Sequence, residues 1–216
     1  MSVIPFVFEG DNRNITNNID EFVLSEKKLY LTYELENTKI NNRKDSNISY
    51  NLRVGKEYRD HRETGKTDIK IDDTFTLHPG NAIVIQTEEY FNFPKTYFGQ
   101  ILPKVSLLHE GVSNTTSKVD PGFKGYLYIT IFNLGKKPRI FKRGDEFCSL
   151  ILHDVGEGVT AYDKPPPNLP GKDKLKKMAK LHDFIDRNGV SLSVLLSIIS
   201  ILLVIFHAIL AILNLI

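Results

Sequence analysis

Between Tyr30 and Val155 short apolar runs alternate with turn residues: YNLRVG (50–55), IKIDDTFTL (69–77), NAIVIQTEEYF (81–91), YFGQILPKVSLL (97–108), GYLYITIFN (125–133), PRIFKRG (138–144) and EFCSLILHDV (146–155). They are rich in Ile, Val, Tyr, Phe and Thr, which fit a pleated, half-buried surface, and Pro79-Gly80, Pro121-Gly122, Gly135 and Gly144 punctuate them. Strands at this spacing, with no long helix between them, predict an all-β sandwich or barrel. Pro121 and Gly122 suit the second and third positions of a type II turn, whose third residue takes a positive φ. Asp120 stands just before that turn, where its side chain can bond a nearby backbone N–H. Tyr126, Tyr128 and Thr130 share one face of the strand that follows.

The pattern changes after Val155. YDKPPPNLPG (162–171) carries four of the ten prolines and resists helix and central strand alike, so it is expected to end the β domain, 1–161. Residues 172–189 place Leu175, Met178, Leu181 or His182, and Ile185 on one face among lysines, the pattern of a basic amphipathic juxtamembrane helix. VSLSVLLSIISILLVIFHAILAILNLI (190–216) has no charged residue. As a helix it would be roughly 40 Å long against a hydrocarbon core of about 30 Å, and it is expected to be one transmembrane helix. Lys172, Lys174, Lys176, Lys177, Lys180 and Arg187 all precede it, which predicts a single-pass membrane protein with its N-terminal domain cytoplasmic on a C-terminal anchor. His207 is the one ionisable group in the span, and Ser193, Ser197 and Ser200 lie at spacings that permit close helix packing.

The formal charge is +2 over 216 residues, without a basic stripe interleaved with aromatics in the first 170, so nucleic acid is not an expected partner. Cys148 is the only cysteine; it rules out an intrachain disulfide and the cysteine set of a zinc nucleobase deaminase. The start MSVIPFVFEGDNRN lacks the basic and apolar regions of a signal peptide. The six histidines are scattered without His-Glu-x-x-His, neither Gly-rich phosphate motif occurs, and no resident metal site is expected.

Three stretches, in order, resemble the dCTP deaminase and dUTPase superfamily, closer to its deaminase branch: ISYNLRVGKEYR (48–59), FTLHPGNAIVIQTEEYFNFPKTYFGQILPKVSLLHEGV (75–112) and VDPGFKGYLYITIFNLGKKPRIFKRGDEFCSLILHDV (119–155). The Asp-Pro-Gly-Phe-Lys-Gly hairpin is the most specific piece. The resemblance implies a distorted jelly-roll-type β barrel, a homotrimer, and sites for a deoxynucleoside triphosphate or related nucleotide between subunits. It implies nucleotide-binding roles for Lys104, Ser106, His109, Asp120, Phe123 and Thr130, with Mg²⁺ accompanying a triphosphate. Lys104 stands where the family has an arginine, Val105 where it has the first serine of a pair, His109 where it has a later arginine, and Asn51 where it has an aspartate. Thr130 stands where the deaminases carry the glutamate that moves protons on cytosine, which a hydroxyl does not do near neutral pH. Asp120 matches the hairpin aspartate held near the deoxyribose, the residue that activates water in the dUTPase branch.

The expectation is therefore a membrane-anchored, catalytically degenerate nucleotide sensor coupled to a membrane effector helix. One alternative is an active, tethered dUTP or dCTP hydrolase or deaminase, with Asp120 as catalytic base or with Glu88, Glu89 or Glu110 standing in for the missing carboxylate. The other is a structural trimeric assembly module.

Overall fold

Strict alternation decides which side chains enter the core, and β11 shows it best: from Lys124 to Asn133 every second residue is buried. The computed structural model describes residues 2–8, 13–25, 27–35, 48–62, 65–70, 72–165, 169, 193–194 and 196–207. The chain divides into two compact units, Met1–Lys172 and Asp173–Ile216. In chain order the first contains β1 (Ser2–Ile4), β2 (Ile15–Thr16), α1 (Ile19–Leu24), β3 (Leu29–Tyr33), β4 (Ser49–Asp60), β5 (Thr67–Asp68), β6 (Thr74–Leu77), β7 (Ala82–Asn92) and β8 (Tyr97–Pro103). α2 (Val105–His109), β9 (Val112–Asn114), β10 (Ser117–Val119), β11, β12 (Arg139–Lys142) and β13 (Glu146–Asp154) follow.

Eleven strands form one sheet along the path β10-β8-β13-β4-β7-β11-β9, with β1 added to β13, β3 to β7, β2 to β3 and β5 to β4; β6 and β12 form a separate pair. All pairings are antiparallel except β2 with β3. The predicted β character holds, whereas the expected closed barrel is not formed among the described residues. The ladder begins at β10 and ends at β9 with no pairing between the two.

The 12-residue β4 carries the sheet round its corner. Its first half, Ser49–Arg53, pairs with β13, and from Val54 to Asp60 it pairs with β7, with a register shift in between. Gly55 sits at this change of partner, where an added Cβ would lie 2.5 Å from the Thr87 carbonyl oxygen. That neighbour is backbone and cannot swing aside. Gly55→Ala is expected to cost about 1–3 kcal/mol as an overpacking substitution, measurable by urea unfolding; a loss within error would show that the two strands can separate freely there.

The hydrophobic core includes Phe6, Leu52, Val54, Ile83, Ile85, Phe91, Phe147, Leu150 and Leu152, all at most 1% exposed. A polar cluster is buried among them. Glu89, wholly buried, accepts from Arg53 Nε (2.8 Å), the Arg53 backbone N–H (3.1 Å) and the Tyr50 hydroxyl (3.0 Å). Arg53 also donates to the Tyr50 oxygen at 3.2 Å, and its guanidinium carbon lies 5.0 Å from the centre of the Tyr33 ring. Burial pushes the Glu89 carboxyl upward from its ordinary range while Arg53 opposes the shift.

Two local expectations differ from the structure. The predicted strand 97–108 ends at Pro103 and gives way to α2, which buries only Leu107. The predicted strand 69–77 is broken by a turn in which the Lys70 N–H donates to the Asp73 carboxylate at 3.0 Å, leaving β5 and β6 on either side.

In the second unit, residues 193–194 and 196–207 are helical and exposed. Among the described residues no helix is long and apolar enough to cross a membrane, so the expected transmembrane helix over 190–216 is not found among them. The described helical residues 196–207 amount to roughly 18 Å of helix, short of a hydrocarbon core. The remainder of 190–216, the expected amphipathic helix 172–189 and half of the Pro-rich linker (166–168, 170 and 171) lie outside the described residues.

Candidate functional site

The Asp120 turn forms as its sequence requires. The Phe123 N–H donates to the Asp120 carbonyl at 3.1 Å, and Gly122 takes a φ of 79°, the positive value a type II turn needs at its third position. The carboxylate makes a different bond from the one expected: it accepts from the Lys118 ammonium at 2.7 Å. It remains 37% exposed, and Lys118 67%, so this pair is weak and easily exchanged. Phe123, by contrast, is buried.

The two strands flanking the turn do not pair with one another. β10 pairs with β8, whereas β11 pairs with β7 on one side and, over Ile131–Asn133 only, with β9 on the other. From Gly125 to Ile129 the second edge of β11 therefore has no strand partner among the described residues. At its far end the Thr115 N–H donates to the Thr130 carbonyl at 3.0 Å. An unpaired strand edge offers backbone donors and acceptors to whatever lies beside it. The unpaired edge runs from Asp120 and Phe123 at one end to Thr115 and Thr130 at the other. Thr130 is half-buried on the outward face, opposite Val84.

Lys104, Ser106 and His109 lie on a separate element. Lys104 is the N-terminal cap of α2 in extended conformation, and its ammonium meets Glu146 at 2.5 Å. Glu146 also accepts from the Asn51 side-chain amide at 2.9 Å, and Asn51 in turn accepts from Ser149 at 2.9 Å. Asn51 therefore takes part in a polar row beneath α2, and Glu146 was not anticipated from the sequence because its partner is 42 residues away. Ser106 and His109 are exposed.

Register separates the two groups within one chain. Val119 stands opposite Gly99, which sets Asp120 level with Phe98, and Lys104 follows six residues later, roughly 20 Å away at the strand rise. Among the described residues no hydrogen bond or ion pair joins Asp120, Phe123 or Thr130 to Lys104, Ser106 or His109.

None of the alternative carboxylates is free at Thr130. Glu89 is wholly buried beside Arg53. Glu88 is held by Arg143 at 2.9 Å and by the Leu35 N–H at 3.0 Å, and Glu110 pairs with Arg139 at 3.0 Å. Among the described residues no group of three His, Cys, Asp or Glu side chains could hold a metal ion. A divalent cation at this site would have to be held largely by a ligand's phosphates.

The profile of dCTP deaminase-like proteins matches residues 23–155. A dUMP-forming dCTP deaminase of Methanothermobacter thermautotrophicus is 26% identical over 143 residues, covering 58% of this chain and 71% of the relative. A deoxyuridine 5'-triphosphate nucleotidohydrolase of Caldanaerobacter subterraneus is 32% identical over 83 residues, 37% of this chain and 56% of the relative. The chain thus spans between about half and three quarters of these relatives' lengths. Among solved structures, the 2'-deoxycytidine 5'-triphosphate deaminase of Agrobacterium tumefaciens aligns with a TM-score of 0.47 at 17% identity, covering 56% of this chain and 41% of that one. The Asp120 turn, the unpaired edge of β11, α2 and the long β4–β7 pair all fall within the matched segment, and the chain belongs to the dCTP deaminase-like family.

Proposed function

We propose that the protein is a nucleotide-binding module on a membrane anchor that has lost the deaminase reaction and reports the presence of a deoxynucleoside triphosphate or a related nucleotide. The observation that carries this reading is the contrast between the two ends of the unpaired edge of β11. At one end the Asp120 turn is intact, with its carboxylate paired to an exposed surface lysine; at the other stands Thr130, a hydroxyl where the family resemblance places the proton-transferring glutamate. The free edge of β11 between Gly125 and Ile129 gives a base hydrogen-bonding partners that do not depend on side chains.

The separation along β8 favours a homotrimer, since Lys104, Ser106 and His109 would reach phosphates only from a neighbouring copy. Lys104 would exchange Glu146 for a phosphate as a point charge, without the planar fork of an arginine. Mg²⁺ would enter with the triphosphate and neutralise its charge. With three copies gathered, a nucleotide that binds one arrangement of subunits better than another shifts the balance by its differential affinity. The second reading, hydrolysis with Asp120 as base, is favoured by the partial exposure of that carboxylate.

Each of the four deoxynucleoside triphosphates with Mg²⁺ is to be tested for turnover and for a shift in melting temperature. A ligand at 100 times its Kd adds about 2.7 kcal/mol, a rise of roughly 5–10 °C for a domain of this size. A rise without turnover is the expected result. Turnover abolished by Asp120→Asn would overturn the sensor reading in favour of the hydrolase, and no response to any nucleotide would leave the assembly module.

A further inference from the structure

The segment leaving the last strand does not run off the domain. The Val155 N–H donates to the Thr96 carbonyl at 2.9 Å, and Gly156 and Gly158, with φ of 72° and 86°, turn the chain back over the end of the sheet. It then lies against the Asp120 turn. The Tyr162 N–H donates to the Pro121 carbonyl at 2.7 Å, and the Tyr162 ring packs on Phe123 at a centroid distance of 5.5 Å, tilted by 57°. Ala161 sits so close to Gly122 that a Cβ there would meet its methyl at 3.0 Å. Three consecutive residues of the turn are therefore touched by two consecutive residues of the segment that leads to the second unit.

Phe123 is only 6% exposed with this strap in place. It follows Asp120 by three residues and is tied to it by the hydrogen bond closing the turn, so a sugar ring held by Asp120 would come to rest on the phenyl ring. Sugar and Tyr162 compete for that surface. The strap has room to move, because behind it lies a cavity of about 540 Å³ lined by Phe22, Val23, Pro94, Gly122, Glu157 and Val159. Two neutral hydrogen bonds, one ring pair and the partial packing of Tyr162 against the core are modest contacts that a nucleotide with charged phosphates can displace.

We infer that Tyr162 is a built-in occupant of the Asp120 turn, displaced when a nucleotide's sugar settles on Phe123, so that ligand capture releases the strap 155–162 from the domain. This rests on the nucleotide reading above and adds its regulation: the free protein holds its own linker, and the liganded protein lets it go. Binding to the unstrapped state is tighter because no tyrosine has to leave first.

The test follows hydrogen exchange of the full-length protein in detergent micelles, with and without dUTP or dCTP and Mg²⁺, alongside its melting temperature. Amides of 155–162 are expected to exchange about 10-fold faster or more with whichever nucleotide raises the melting temperature. Tyr162→Ala is expected to bind that nucleotide about 3- to 10-fold more tightly, and Tyr162→Phe to restore the wild-type affinity. A nucleotide that stabilises the protein while exchange at 155–162 stays unchanged or slows would overturn this inference and leave the nucleotide reading standing. No stabilisation of either the wild type or Tyr162→Ala would overturn both, whereas binding confined to Tyr162→Ala would support the strap as a strong competitor. The exchange measurement on the wild type stands even if the variants fold poorly.

Discussion

Arg53→Ala is expected to destabilise the β domain by about 3–5 kcal/mol, the largest loss from any single substitution considered for this chain. The reason lies in what it leaves behind. Glu89 has no exposure to solvent and takes two of its three hydrogen bonds from Arg53 side chain and backbone. Without the guanidinium its charge would have no counterpart in a low-dielectric interior, and the carboxyl, already pushed upward by burial, would take up a proton to fold. At the usual entropy of unfolding the loss corresponds to a melting temperature lower by roughly 6–20 °C. The double variant Arg53→Met/Glu89→Leu supplies the control. Replacing both charges by apolar groups of similar size removes the orphan, and it is expected to recover most of the loss. If Arg53→Ala alone costs less than about 1 kcal/mol, the pair is not the buried, mutually dependent unit that its distances describe.

That pair also marks the limit of what the sequence discloses. Arg53 and Glu89 both fall in stretches that resemble family motifs, yet neither letter says that the two meet 36 residues apart or that Tyr50 closes the cluster. Strand character was legible wherever four or more residues alternated or were β-branched, as in β4, β7, β11 and β13. The Asp120 turn was legible because Pro-Gly dictates its own dihedral angles. The apolar run 97–108 misled because a short apolar stretch looks alike in strand and helix; Pro103 and the extended Lys104 divide it, and only Leu107 of α2 turns inward. β2, β5, β9 and β10 are two or three residues long and carry no period at all. They exist because distant partners hold them.

The candidate site was legible as residue types and illegible as geometry. That Thr130 lacks a carboxylate follows from its letter. That β10 and β11 part company after the turn, leaving the edge of β11 open, depends on β10 joining β8 and on β9 stopping at Val112–Asn114. The 20 Å scale separating Asp120 from Lys104 likewise emerges only from the Val119–Gly99 register. Tyr162 gave no signal, being one aromatic residue before a run of prolines. Its role comes from the fold bringing the exit of β13 to the same end of the sheet as the Pro121-Gly122 turn.

Full-length protein is expected to sediment almost entirely with membranes, and a chain ending at residue 189 to stay almost entirely in the supernatant. The described helical residues 196–206 expose Leu, Ile, Val and Phe in all directions, with Val204 68% and Phe206 56% exposed. A helix apolar all round is at home in a protein core or a bilayer. Its polar groups are already arranged for such a medium. The Ser197 hydroxyl donates to the Ser193 carbonyl at 2.9 Å, one turn earlier, and His207 Nδ1 lies 2.8 Å from the Leu203 carbonyl. Because a carbonyl only accepts, Nδ1 must carry the hydrogen, so one of the ring's two polar nitrogens is satisfied within the helix. The described helix is shorter than a bilayer, so anchoring by a full span requires the helix to continue through the apolar residues on either side, 190–216 having no charge to stop it. Washing the membrane pellet with 1 M salt or at high pH separates a span from surface attachment by the lysines of 172–180: a spanning helix stays in the pellet, whereas a screened electrostatic contact lets go. Recovery of the full-length chain in the salt wash would remove the anchor from the proposed function, and sedimentation of the chain ending at 189 would move it to another part of the molecule.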